Sequence, residues 1–149
     1  MHNIIKIKIG ANGEQLPIEA PEWDAVYLPQ FNIMVGAGNA SDEALDSEAA
    51  ATICSNLSLA GFNDWRVPER MELEAVLDLT KYEPAIDPVF FRDTHSDWYL
   101  TATPCAWSPG RVWFVGFSHG YVGDLNRYYP AFVRPVRSVL PAFVKEMGK

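Results

Sequence analysis

Residues 61–70, GFNDWRVPER, decide the fold of this 149-residue chain. One helical pattern ends before this stretch, and another begins after Pro68. Trp65 is a large apolar side chain that can anchor the corner between the two helices. Asp64 and Arg66 are placed to hydrogen-bond backbone groups left unpaired where one helix ends and another begins. We therefore interpret all three side chains as structural, with ligand contact by Asp64 or Arg66 as the alternative.

Apolar periodicity predicts one helix on each side of this corner. In the first helix, four apolar residues spaced i, i+3, i+4 and i+7 form one stripe: Ala50, Ile53, Cys54 and Leu57. In the second, three apolar residues share a face: Leu73, Val76 and Leu77. Ser41 or Ser47 is the predicted N-cap of the first helix, and Gly61 is the predicted residue that stops it.

Strand patterns flank the helical region. Near the N-terminus Ile5, Ile7 and Ile9 alternate with lysines, and an Asn-Gly turn follows. Residues 16–30 contain three prolines and few periodic positions, and predict an extended, partly irregular connection. A second strand is expected around Phe31–Val35, before the helices begin.

Strand patterns replace helical patterns from Asp97 onward. The segments DWYLTAT, RVWFVGF and AFVRPVRSV are rich in aromatic and β-branched residues, and PCAWSPG, SHG and GDLNRYYP between them are turn- or loop-like. This order predicts a single α+β domain over residues 1–149, with two helices packed on a twisted antiparallel sheet that the N-terminal strand can join.

Composition excludes several classes of partner. An apolar share of 48% with 21% charged residues is typical of a folded globular domain. The net charge of −7 argues against binding nucleic acid, which relies on clustered Lys and Arg. No apolar run approaches a membrane span, and the N-terminus lacks the apolar core of a signal peptide. We therefore expect no membrane insertion and synthesis in the cytoplasm.

Signals for catalysis are weak. Cys54 and Cys105 have no CxxC spacing and are expected to be separate buried thiols, with a single bridge between them as the alternative. The three histidines form no HxH or HxxxH pair, and no nucleophile-elbow, phosphate-loop or dinucleotide motif occurs. We therefore predict no catalytic residue, no metal site and no cofactor. Cys105 and His119 are the remaining candidates for a thiol- or metal-dependent enzyme.

The remaining chemistry lies between residues 107 and 129, where aromatic residues alternate with Arg, Asn and Asp. Such residues on loops held by a rigid sheet are typical of binding patches. Burial of Val112, Phe114 and Val115 would leave Arg111 and Trp113 facing outward, unless a bulge switches that assignment. The predicted ligand-binding residues are Trp107, Arg111, Trp113, His119, Tyr121, Asp124, Asn126, Arg127 and Tyr128. The alternative is that these residues only fill the core and satisfy turns.

Several blocks occur in one characteristic order: CSNLSLAGFNDWRVP, ELEAVLD, PAIDPVFF, WYLTATP, VWFVGFSHGYV and FVRPVRSV. In this order they resemble the Lcl C-terminal domain family, named after a bacterial collagen-like adhesin. The resemblance implies a C-type-lectin-like fold. It runs from about Val35 to Val139, which divides the chain into an N-terminal segment 1–34, a family-like core 35–139 and a frayed tail 140–149.

Some positions depart from the family pattern. Glu69 stands where the family usually has Thr or Ser, although Glu72 keeps the capping-box position. Pro135 stands where the family often has Cys, so a family disulfide to the position of Cys54 would be absent. Pro135 cannot donate to a ladder, so its strand should lie at an edge or be bulged. The tripeptides with which some C-type lectins bind sugar through calcium are also missing.

The resemblance implies a non-enzymatic recognition module of adhesin or receptor-binding type. Such a module would bind a glycan or a protein through the surface between Trp107 and Tyr129. The alternative is a cytoplasmic protein-binding inhibitor or assembly factor of phage or bacterial origin, and an enzyme comes third. The expected location is the cytoplasm as synthesised, with a phage particle as the other candidate.

Overall fold

The computed structural model describes residues 4–140 and shows an α+β protein in which strands predominate. The elements in chain order are β1 (Ile7–Ile9), β2 (Gln15–Leu16), β3 (Ala25–Leu28), β4 (Ile33–Gly36), α1 (Ser47–Ser55), α2 (Arg70–Glu74), β5 (Trp98–Cys105), β6 (Ser108–Gly116), β7 (Tyr121–Asn126) and β8 (Val136–Ser138). No helix in this part of the chain has the length and apolar character needed to cross a membrane. The tail predicted from residue 140 lies, beyond Leu140, outside the described residues.

One antiparallel sheet joins the two ends of the domain. Its strand order is β2-β1-β3-β4-β8, so the N-terminal strand does join a sheet. The β1–β2 hairpin turns at the predicted Asn-Gly pair, where Gly13 has a φ of 80°, a backbone conformation that favours glycine. β8 follows Pro135 directly and lies at the edge of this sheet, as the missing donor of that proline requires.

The prediction of an irregular connection over residues 16–30 is wrong in its last third. Ala25–Leu28 form β3, which pairs with β1 on one side and with β4 on the other. All four residues are buried, so the sequence AVYL shows no alternation between apolar and polar positions. The prolines on both sides of this short central strand are typical of loops, so the sequence pattern did not indicate a strand here.

Strands β5, β6 and β7 form a second, separate antiparallel sheet, so the prediction of one sheet is wrong. Half of the segment GDLNRYYP, predicted as a loop, belongs to β7. The two sheets share a core in which Val26 and Val35 pack with Tyr99, Val115 and Phe117. A second cluster packs α1 against the other face of the three-stranded sheet: Ala50 and Cys54 with Leu100, Val112 and Phe114.

Both predicted helices are present, but they are shorter than their apolar patterns. The N-cap of α1 is Asp46, whose carboxylate accepts from the backbone N of Ala49 at 2.9 Å, rather than Ser41 or Ser47. The helix ends at Asn56, so Gly61 does not stop it and instead sits in a later turn with a φ of 81°. At α2, the Glu72 carboxylate accepts from the Glu69 backbone N at 2.8 Å, as the capping-box position predicts.

The corner stretch holds three elements together. Trp65 is 2% exposed, and its Nε1 donates to the carbonyls of Leu59 and Phe62, each at 3.1 Å. Backbone groups of Arg66 pair with Val136 in both directions, at 2.8 and 3.0 Å. The corner is therefore tied to β8 as well as to the two helices.

Asp64 and Arg66 do not bind orphan backbone groups, contrary to the prediction. Asp64 accepts from Nε and Nη2 of Arg137 at 2.6 and 3.0 Å. Arg66 forms a two-pronged pair with Glu72, with both N–O distances at 2.7 Å. The capping of α2 and the backbone pairing of Arg66 with Val136 already satisfy backbone groups of the corner, and the two charged side chains form ion pairs instead.

A buried arginine holds two loops against the end of β4. Arg134 is 0% exposed, and its guanidinium donates to five acceptors: Gly36 O, Ala37 O, Asn39 Oδ1, Arg92 O and Thr94 Oγ1, at 2.6–3.3 Å. None of these acceptors is a carboxylate. Burial lowers the pKa of this guanidinium below its ordinary value. We call this group the Arg134 clamp.

Candidate functional site

The nine predicted binding residues lie along the β6–β7 hairpin but do not form one site. Strand β6 has nine residues, so its ends are about 26 Å apart at the usual rise per residue. The structure separates the nine into three groups. One sheet face carries Trp107, Arg111, Trp113, Asp124 and Asn126. His119 and Tyr121 lie at the β6–β7 turn, and Arg127 and Tyr128 lie beside a cleft.

Two tryptophans form the aromatic part of the first group. Trp107 lies in the β5–β6 turn and is 66% exposed, whereas Trp113 lies in the middle of β6 and is half-buried. Their ring centroids are 5.6 Å apart at an interplanar angle of 86°, an edge-to-face contact. The guanidinium of Arg70, from α2, lies 4.3 Å from the Trp113 ring centroid. Trp113 is therefore fixed from two sides, and Trp107 projects from it into solvent.

An ion pair lies beside the tryptophans. Arg111 Nε donates to Asp124 Oδ2 at 2.7 Å, and its Nη2 donates to the Asp124 carbonyl at 2.8 Å. Asp124 is the cross-strand partner of Trp113, so both side chains share a sheet face. We call the surface made by Trp107, Arg111, Trp113 and Asp124 the tryptophan face. Because the pair uses only one oxygen of the carboxylate, the other can accept from a ligand.

Asn126 lies on the same sheet face, but its side chain bonds to the backbone two residues further along the chain. It is the cross-strand partner of Arg111, and its Oδ1 accepts from the backbone N of Tyr128 at 2.9 Å. This is a turn of the kind that asparagine side chains commonly stabilise. Asn126 therefore shapes the chain that leaves β7.

His119 and Tyr121 lie at the far end of the hairpin, with Tyr82. The His119 ring is stacked with Tyr82 at 6.1 Å and tilted against Tyr121 at 5.7 Å. His119 Nδ1 is 2.8 Å from Ser118 Oγ, and its Nε2 is 4.0 Å from a carboxylate oxygen of Glu83. Within residues 4–140, no group of three or more His, Cys, Asp or Glu is placed to hold a metal ion. This end of the hairpin is an exposed aromatic patch.

A cleft of about 300 Å³ opens between α1 and the β5–β6 hairpin. Its wall is mainly apolar, and Arg127 is the charged residue in its lining. Val112 lines the cleft and Trp113 lies on the tryptophan face, since neighbouring strand residues point to opposite sides. The two surfaces therefore use opposite faces of one sheet. The predicted residue Arg127 belongs to the cleft, with Tyr128 beneath its guanidinium at 5.4 Å.

Both cysteines are buried and unpaired, in agreement with the expectation of two separate thiols. Burial raises the pKa of Cys54 to about 11, so its reactive thiolate is scarce near neutral pH. Cys105 is 2% exposed and sits at the end of β5. Neither sulfur lines the cleft.

Sequence reasoning missed some residues of these surfaces. Arg70 stacks on Trp113 although it lies in a different element, and no local pattern signals this contact. Ser47 and Ala51 line the cleft from α1, although the sequence indicated Ser47 only as an N-cap and Ala51 only as an ordinary helix position. A search for apolar residues of α1 outside its main stripe would have found Ala51.

Together the fold and these surfaces define an α+β protein with an exposed aromatic face and one mainly apolar cleft. Residues 22–137 match the Lcl C-terminal domain family. The chain therefore belongs to that family, as its ordered sequence blocks indicated. No curated protein matches the chain.

Proposed function

We propose that this protein is a non-enzymatic ligand-recognition domain with a C-type-lectin-like fold, which binds its ligand through the tryptophan face. The observation that carries the proposal is the exposure of Trp107, at 66%, in an orientation fixed by its contact with Trp113. A large, rigid aromatic side chain loses little conformational freedom on binding, and such residues dominate the energetics of recognition sites.

The polar part of the face favours a glycan as ligand. Arg111 and Asp124 hold each other in place next to the aromatic rings, so donors and an acceptor are pre-arranged before the ligand arrives. Flat apolar ring surfaces with fixed polar groups suit a sugar, which presents C–H faces and hydroxyl groups together. The domain would bind a polysaccharide chain along the sheet face.

A protein partner is the second candidate. Met71 is 80% exposed on α2, next to Arg70, which stacks on Trp113. Exposed methionine with tryptophan and arginine is the composition of protein interfaces. On this alternative the domain would act as an inhibitor or assembly factor, and α2 would join the tryptophan face in the contact.

The test uses two aromatic substitutions of equal exposure. Trp107→Ala removes the exposed ring of the tryptophan face, and Tyr121→Ala removes a ring that is 61% exposed at the opposite end of the hairpin. Retention of the tagged protein on immobilised envelope polysaccharide, and its capture of partners from a cell lysate, are measured for both variants. Thermal melting of each variant confirms that it remains folded.

We expect Trp107→Ala to weaken binding about 30-fold, as for a truncated hot-spot residue, and Tyr121→Ala to bind like the unmodified protein. Retention on polysaccharide supports a glycan ligand, and a stoichiometric protein complex supports the second candidate. Equal binding by both variants would show that the tryptophan face is not the binding surface.

A further inference from the structure

The cleft between α1 and the β5–β6 hairpin has the character of a small-molecule site. Apolar side chains line it from three directions: Ala51 of α1, Val67 of the corner stretch, and Leu100, Pro104 and Val112 of the hairpin. Its volume of about 300 Å³ is at the lower end of the range for ligand sites. At about 30 Å³ for each liquid water, this space equals roughly ten water molecules. A ligand of about ten non-hydrogen atoms fits.

Arg127 is the charged residue that lines the cleft, and it is exposed to solvent. Its backbone is fixed, since its N donates to the Gly110 carbonyl at 3.0 Å and its carbonyl accepts from the Ser47 N at 3.1 Å. Its guanidinium lies over the Tyr128 ring, and no carboxylate among residues 4–140 pairs with it. In a chain of net charge −7, an arginine without an acidic partner leaves its charge for a ligand.

Ser47 supplies a second polar group in the same lining. Its Oγ is buried and has no hydrogen-bond partner in the described part of the chain. The Ser47 backbone N donates to the Arg127 carbonyl, so the two residues lie together at one end of the cleft.

We propose that this cleft binds a small amphipathic carboxylate. The apolar chain of the ligand occupies the space lined by Leu100, Pro104 and Val112. Its carboxylate accepts from the Arg127 guanidinium, a charge-assisted arrangement, at the end of the cleft where Ser47 also lies. This site is separate from the tryptophan face, because it lies on the other side of the sheet and has different lining residues.

Octanoate is the probe, because it has ten non-hydrogen atoms and a single carboxylate. Its binding to the full chain is measured by calorimetry and by amide chemical shifts. 1-Octanol matches its apolar chain without the charge, and acetate matches the charge without the chain. Arg127→Gln removes the cation, Ala51→Phe fills the cleft from α1, and Arg92→Gln is a control at another exposed arginine.

We expect octanoate to bind at least about tenfold more tightly than octanol, and acetate not to bind. Arg127→Gln should weaken octanoate binding about tenfold, Ala51→Phe should abolish it, and Arg92→Gln should leave it unchanged. Trp107→Ala should also bind octanoate normally, so failure here is distinguishable from failure of the proposed function. Equal binding of octanol and octanoate, normal binding by Arg127→Gln, or no binding of millimolar octanoate would each overturn the proposal.

Discussion

Replacement of Arg134 by methionine is expected to destabilise the domain strongly, although the apolar volume of the side chain is largely kept. Ala37 O retains a second donor, the backbone N of Arg92 at 2.8 Å, and Asn39 Oδ1 retains the hydroxyl of Tyr99 at 2.8 Å. The remaining acceptors of the clamp lose the donor that Arg134 gave them: Gly36 O, Arg92 O and Thr94 Oγ1.

The magnitude follows from those three acceptors. Only the bond to Gly36 O is fully buried, and an unsatisfied buried acceptor costs about 1–3 kcal/mol. The bonds to Arg92 O and Thr94 Oγ1 are part-buried, so water replaces part of what these two acceptors lose. The variant recovers some of the loss, because burial of the guanidinium is itself unfavourable, as its lowered pKa indicates. A net loss of about 2–3 kcal/mol in the free energy of unfolding is expected.

The assay is urea unfolding followed by tryptophan fluorescence. With a denaturant slope of about 2 kcal/mol per molar, Arg134→Met should lower the midpoint by about 1–1.5 M. Arg111→Met is the control, since its ion pair with Asp124 is partly exposed and should be worth less than about 1 kcal/mol. Equal midpoints for the two variants would refute the assignment of a structural clamp to Arg134.

Three further predictions concern the thiols and the charged groups of the corner. Burial raises the pKa of Cys54 to about 11 and also covers Cys105, so neither thiol should react with a thiol reagent before guanidinium unfolds the chain, and reaction in the native state would contradict this. Hydrogen bonds from Arg137 hold the pKa of Asp64 below its ordinary value of 3.8. A lowered pKa stabilises the fold above that value, so Asp64→Asn should lower Tm at neutral pH, and this difference should vanish as the pH falls through the pKa of the folded state; a persistent difference in acid would disprove it. Glu72→Ala removes an ion pair and the cap of α2 and should cost about 1–2 kcal/mol in urea unfolding. Glu72→Gln removes the charge but keeps an oxygen that can cap the helix, so it should cost less; equal costs would exclude a contribution from the cap.

The sequence predicted those features of the fold that depend on residues close together in the chain. Alternation along β6 correctly separated buried Val112 and Phe114 from half-buried Arg111 and Trp113, because successive strand residues point to opposite faces. The burial of Trp65 likewise follows from its size and its place at a corner.

The rest depended on partners far away in the chain. Arg134 meets the Gly36 carbonyl across 98 residues, and Asp64 meets Arg137 across 73, so no window of sequence contains both members of either pair. The spread of the predicted binding residues over both faces and both ends of the hairpin had the same cause. Their spacing in β6 and β7 was visible, but the positions of α1 and α2 against the sheet were not.

The two proposed sites should be independent because neighbouring residues of the three-stranded sheet point to opposite faces and backbone hydrogen bonds hold its edge to the rest of the domain. Phe132 ties the sheet to the rest of the domain, since its N donates to the Trp98 carbonyl at 3.1 Å and its carbonyl accepts from the Leu100 N at 2.9 Å. A ligand on the tryptophan face affects the cleft only by moving the sheet between them, and these backbone bonds oppose that movement. Coupling between two sites requires an element with two arrangements whose equilibrium both ligands bias. Occupation of either site should therefore leave the affinity of the other unchanged.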